Sequence, residues 1–195
     1  MVEQKVPNVS SQVGLRYASF ETRLVAFVLD VIVLSAVLAL FFAVAFLQIL
    51  IRTDFGEKDT PDSAVWAAAI ILAIYCFLFL PLYFVGLWVR RGQTVGQVAM
   101  AIKVVRRDGR RMGLARATVR AGGLNLLPLV FGASLLALLA TGLGEDALIG
   151  IIWVLLATAL VLMTIQVLGF LMIPFDEKRQ ALHDRLADTI VVEPK

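Results

Sequence analysis

Four stretches of the chain are almost purely apolar, and polar or charged segments separate them. The first runs from Leu24 to Ile51, 28 residues interrupted only by Asp30, Ser35 and Gln48. A membrane crossing needs about 20 apolar residues at 1.5 Å per residue, so this run spans with some tilt. The second is Ala64 to Val89, with Pro81 inside it and a kink expected nearby. The third is Leu124 to Thr141, extended at its start by Gly113 to Gly123, and the fourth is Ala147 to Phe175, ending at Pro174. The pattern predicts an all-α membrane protein, a bundle of four transmembrane helices. It divides the chain into an N-terminal segment 1–23, a transmembrane region 24–175 with spans at about 24–51, 64–89, 124–141 and 147–175, and a polar tail 176–195.

Between the second and third spans the pattern changes period. Ala101 to Arg107 (AIKVVRR) is rich in β-formers, Asp108-Gly109 is a turn dipeptide, and Arg110 to Leu114 is the expected return strand. A hairpin alone is marginal in water, so Thr189 to Glu193 (TIVVE) is expected to add a third strand to a small antiparallel sheet. Ala115 to Gly122 reads as a short interfacial helix, with Arg116 and Arg120 four apart on one face.

Composition supports a lipid environment: 60% of residues are hydrophobic and the mean hydropathy is +0.88. Charge adds an orientation. The segment 90–120 carries nine Lys and Arg against the single acid Asp108, and with both termini inside, cytoplasmic segments hold sixteen of the eighteen basic residues. The positive-inside bias then places both ends in the cytoplasm and the short loops Arg52–Ser63 and Gly142–Asp146 outside. Localisation to a bacterial inner membrane follows as the expectation. The net charge of +3 is explained by anionic lipid, with Arg106, Arg107, Arg110, Arg111, Arg116 and Arg120 as headgroup contacts. No aromatic platform is interleaved with these residues, which argues against nucleic acid.

Candidate chemistry is sparse. One cysteine, Cys76, and one histidine, His183, exclude an intramolecular disulfide and a multi-histidine metal centre. No nucleophile–base motif is present, so neither an enzyme nor a cofactor is expected. Gly92 to Gly96 (GQTVG) lacks phosphate-loop spacing and reads as a turn out of the membrane. Ser35, Ala39 and Ala43 form a small-residue stripe suited to helix packing.

Asp30 is the most informative residue. It stands seven positions after Arg23, on the same helix face and about 10 Å along the axis. A carboxylate inside a span costs on the order of 2.5–3.5 kcal/mol, which drives it toward the protein interior. Counting depth from the span ends places Tyr83, Gln166 and Asn125 at a similar level, and the five residues Asp30, Arg23, Tyr83, Gln166 and Asn125 define a candidate intramembrane polar layer. Two readings stay open: an ion or proton site at Asp30, or a structural knot in which Arg23 neutralises Asp30 and hydrogen bonds fix helix register.

These residues resemble the RDD family of bacterial membrane proteins, named for an arginine and two aspartates. The matching pieces are Arg23-Leu24-Val25-Ala26 with Asp30; Gly92-Gln93-Thr94-Val95-Gly96 followed by Ile102 to Val105 and Asp108-Gly109; and Leu182 to Val192 (LHDRLADTIVV). The resemblance implies Arg23, Asp30 and Asp184 as the name-giving residues, and an integral membrane protein in transport of unidentified ligands. The chain departs from the family pattern at Gln97 and Asp188. Two functions are carried forward. One is transport of an ion or small ligand through Asp30, with a homo-oligomer implied by so few helices. The other is an embedded interaction or assembly protein with the basic cytoplasmic face as its docking surface.

Overall fold

The computed structural model describes residues 16–141 and 145–194, and side-chain surroundings except at 125–129, 131 and 134–155. In chain order the elements are strand β1 (Arg16–Tyr17), helix α1 (Phe20–Arg52), helix α2 (Asp62–Arg91), short helix α3 (Val95–Ala99), strand β2 (Lys103–Arg106), helix α4 (Leu114–Thr141), helix α5 (Glu145–Leu171), a 3-10 turn (Ile173–Phe175), short helix α6 (Leu182–Leu186) and strand β3 (Thr189–Glu193). Among the described residues three stretches are long and apolar enough to cross a membrane: α1, α2 and Leu156–Phe175. The predicted third span lies within α4, and most of its side chains, like the loop 142–144, lie outside the described residues.

Two sequence expectations change. The interfacial helix 115–122 is not separate; it is the start of the continuous α4. Nothing between Ala121 and Leu124 breaks it, and Gly123 sits where a Cβ would come within 3.2 Å of His183 Cβ, so packing favours glycine there. The return strand 110–114 does not form. The turn closes with Arg106 N–H on the Arg110 carbonyl, at 3.0 Å, and Gly109 takes a positive φ of 78°, but no ladder follows. The sheet is instead β1-β3-β2, antiparallel throughout, with β3 central. Lys103 stands opposite Val192 and Arg106 opposite Thr189 on one side, and Arg16 opposite Glu193 on the other. Val105, Ile190 and Val192 make its apolar core, with Tyr17 against them. Thr189 to Glu193 forms a strand as expected, but in the centre, with Arg16–Tyr17, not expected as a strand, on its outer side.

Contacts group the chain into two compact units. One comprises residues 1–31, 83–123 and 167–195, and contains the sheet and both short helices. The other comprises 32–82 and 124–166. Inside the second unit α2 passes through a π-helical turn at Tyr75–Phe79, just before Pro81, which has no N–H to continue the ladder. There the Tyr75 hydroxyl donates to the Leu34 carbonyl at 2.9 Å, and its ring stacks on Phe79.

Candidate functional site

Among the described residues, the first unit buries five ionisable side chains: Arg23, Asp30, Arg120, His183 and Asp184. They form two groups.

Asp30 is 4% exposed and accepts three hydrogen bonds. Its Oδ1 receives the Tyr83 hydroxyl at 2.6 Å and the Gly96 N–H at 2.8 Å; its Oδ2 receives the Thr94 hydroxyl at 2.5 Å. Hydrogen bonds to a charged group contribute roughly 1.5–3 kcal/mol each, so three of them offset the insertion cost of the carboxylate. The geometry begins with local sequence. Thr94 is the N-cap of α3: its hydroxyl accepts from the Gln97 N–H while the Gln97 side chain accepts from the Thr94 N–H, a reciprocal capping box. That cap aims the Gly96 N–H at Asp30 and the Val95 N–H at the Tyr83 hydroxyl, at 3.3 Å. Close approach then requires glycine: a Cβ at Gly96 would lie 2.0 Å from the Ala26 carbonyl oxygen. The Gln97 amide oxygen also accepts from the Trp88 indole N–H at 3.0 Å.

The second group is an arginine knot around Asp184, which is fully buried. Arg23 Nη1 donates to Oδ2 at 2.7 Å, Arg120 Nη1 donates to Oδ1, and the Ala181 N–H donates to Oδ2 at 3.0 Å. Arg120 also donates to the Thr189 hydroxyl at 2.7 Å and lies over the Trp88 ring, 4.8 Å from its centre. Burial disfavours the charged form of Asp184, but Arg120 above all, with Arg23 and the Ala181 N–H, outweighs it and holds the carboxyl well below the usual carboxylate range. His183 is neutral: burial, against the pull of Asp184, pushes its imidazole down to about 4. The Nε–H groups of Arg23 and Arg120 have no partner among the described residues.

The two groups are linked. Trp88 donates to Gln97 on the Asp30 side and carries Arg120 on its face. Two arginines and two carboxylates balance the buried charge, yet no described cation pairs with Asp30.

Several sequence expectations are thereby sorted. Asp30 and Tyr83 come together. Arg23 does not turn to Asp30; the end of the chain brings Asp184 within reach of its guanidinium, which wins over a carboxylate nearly two turns up the helix. Gln166 lies in the other unit, where it donates to the Leu124 carbonyl at 2.9 Å, and the Asn125 side chain lies outside the described residues. Arg120 is a correction: at 3% exposed it cannot meet headgroups, because it is the second arm of the knot. Of the other expected headgroup contacts, Arg106 pairs with Asp108 at 3.1 Å, and Arg107 and Arg116 share Asp188 at 2.9 and 3.8 Å. Arg110 and Arg111 are exposed and have no ion pair among the described residues. Thr94 and Gly96 were legible only as a turn; the Thr94…Gln97 spacing of a capping box was the signal for them. Among the described residues no cluster of acids, histidines or cysteine is arranged to hold a metal.

Three helical stretches long and apolar enough to cross a membrane, with a buried polar network and a small sheet in the first unit, are the features of an integral membrane protein. The chain belongs to the RDD family, whose model matches residues 17–188. No curated protein and no solved structure matches it.

Proposed function

We propose that this protein moves an ion or a small ion-coupled ligand across the membrane, with Asp30 as the ion-sensitive group. The observation that supports this reading is the environment of Asp30: a buried carboxylate within an apolar span, held by three uncharged donors, its nearest sequence candidate for neutralisation already engaged with Asp184. Such a carboxylate can exchange its uncharged donors for an ion, and the Trp88–Gln97 link joins its surroundings to the arginine knot. The basic bias of segment 90–120 supports an inner-membrane protein with both ends in the cytoplasm, and so few helices support a homo-oligomeric pathway. The protein is read as non-enzymatic. In proteoliposomes, Asp30→Asn is expected to abolish ion- or proton-coupled flux while the protein still folds. Flux unchanged by the substitution, or none from the wild-type protein, rejects the reading.

A second reading is an embedded assembly protein that docks through its basic face. Exposed Arg110 and Arg111 favour it, since neither is engaged internally. Neutralising Arg106, Arg107, Arg110 and Arg111 is then expected to lose anionic-lipid binding or a co-purifying partner. Retention of both counts against docking.

A further inference from the structure

The segment after the last span was expected to be a polar cytoplasmic tail that gives only Thr189 to Glu193 to the sheet. Its packing says otherwise. A Cβ on Gly169 of α5 would lie 2.9 Å from Leu182 Cβ, and one on Gly123 of α4 would lie 3.2 Å from His183 Cβ. Helix α6 is therefore pressed directly against these two helices. Gly169 precedes Phe175 by six residues, which at 1.5 Å per residue is about 9 Å. Helix α6 thus lies beside the last turns of the apolar stretch Leu156–Phe175, not beyond its end. Its buried face carries His183 and Asp184 into the knot.

The opposite face is apolar. Leu186 is 62% exposed and Leu182 38%, four residues apart on one side of α6, and Phe175 is 91% exposed. Between α5 and α6 an open groove of about 330 Å³ is lined by Leu168, Leu171, Met172, Phe175, Asp176 and Arg185. The two charged residues of this lining are spent on each other, in a 2.5 Å ion pair. The groove therefore offers no unbalanced charge for an acidic or basic partner. It continues the apolar surface of the span, where Val167, Leu168 and Leu171 are 47%, 56% and 48% exposed.

We propose that residues 173–186 are embedded in the membrane interface, with Phe175, Leu182 and Leu186 among the acyl chains of the bordering leaflet and a phospholipid acyl chain lying in the groove. The occupant is lipid because the patch is continuous with the span's own lipid-facing surface, at a depth set by Gly169. Segment 173–186 thereby acts as a collar that ties the arginine knot to the bilayer.

The test uses the full chain in phosphatidylcholine–phosphatidylglycerol vesicles, with Cys76→Ser removing the native thiol. Nitroxide labels are placed at Phe175→Cys and Leu186→Cys, at Leu168→Cys on the span for a lipid reference, and at Asp59→Cys in the exposed loop between α1 and α2 for a water reference. Both collar positions are exposed, so folding is expected to survive. Accessibility to oxygen and to a water-soluble nickel chelate, present on both sides of the vesicles, is then measured. The expected result is an oxygen-to-nickel ratio at 175 and 186 matching that at 168 and opposite to that at 59. Nickel access at 186 equal to that at 59 overturns the proposal. So does dipolar broadening at 186 that disappears on dilution with unlabelled protein, because a second copy would then cover the patch.

Discussion

At the scale of single residues, the deciding fact is which partner each buried charge finds. Asp184 takes both arginines, and His183 beside it stays neutral because burial pushes its pKa down to about 4, below the ordinary 6.5. Between those values the unfolded chain carries a proton on this imidazole that the folded chain refuses. Stability is therefore expected to fall as pH drops from about 6.5 to 4, and His183→Gln is expected to flatten that slope. Asp184 adds the same sign further down: its folded pKa is depressed, so its stabilisation is present above the unfolded value of 3.8 and declines below it. Thermal unfolding in detergent between pH 7.5 and 4.5 reads the histidine effect, and an equal slope in the variant rejects it.

The same scale shows what one sequence can and cannot reveal. Asp30 was conspicuous because an acid inside an apolar run has few tolerable environments, and Tyr83 was found by counting depth from Arg90. Arg23 was weighed as a neutralising partner for Asp30 because helical spacing ranks local neighbours, whereas its ion-pair partner, Asp184, lies 161 positions away. Arg120 was read as a headgroup contact from its four-residue spacing to Arg116. Its actual surroundings, Trp88 on α2 and Asp184 and Thr189 near the end of the sequence, come from two distant segments that no periodicity joins to α4.

At the scale of elements, α3 matters far beyond its five residues. Its capping box orients Thr94 and Gly96 toward Asp30, and its contact with α1 is closer than any side chain allows. Gly96→Ala places a methyl group 2.0 Å from the Ala26 oxygen, so α3 must move away and the Gly96 N–H must leave Asp30. Losing one such bond to a charged group costs roughly 1.5–3 kcal/mol, before any strain. A lowered unfolding midpoint is expected, and a midpoint within error of wild type would show that the contact yields freely. The apolar runs that became α1 and α2 were readable because lipid demands long uninterrupted hydrophobicity. For 115–122 the sequence carried two readings, an extension of the third span over Gly113 to Gly123 and a separate interfacial helix, and the continuous α4 matches the first.

At the scale of the whole molecule, the sheet and the knot depend on the same stretch, residues 180–193. Deleting 187–195 removes β3, leaving β1 and β2 without a shared partner, and takes away the Thr189 acceptor of Arg120. The truncated protein is expected to lose protease resistance across the whole first unit, although every apolar span is intact. Limited proteolysis giving the wild-type pattern would mean that the spans alone hold that unit together. Two of the three strands, β2 and β3, were visible in the sequence as β-prone runs; β1 was not, and neither was the central place of β3. Ladder geometry follows from which segment the helices deliver to the centre.

A central β3 also sets a schedule. The strands it joins emerge from the ribosome long before it, and so do both arginines that wait for Asp184. Neither the sheet nor the knot can close while translation is still short of residue 189, even with α1 and α2 already inserted. Synthesis of residues 184–193 is thus the event that locks this unit, and until then Arg23 and Arg120 lack the carboxylate that neutralises them.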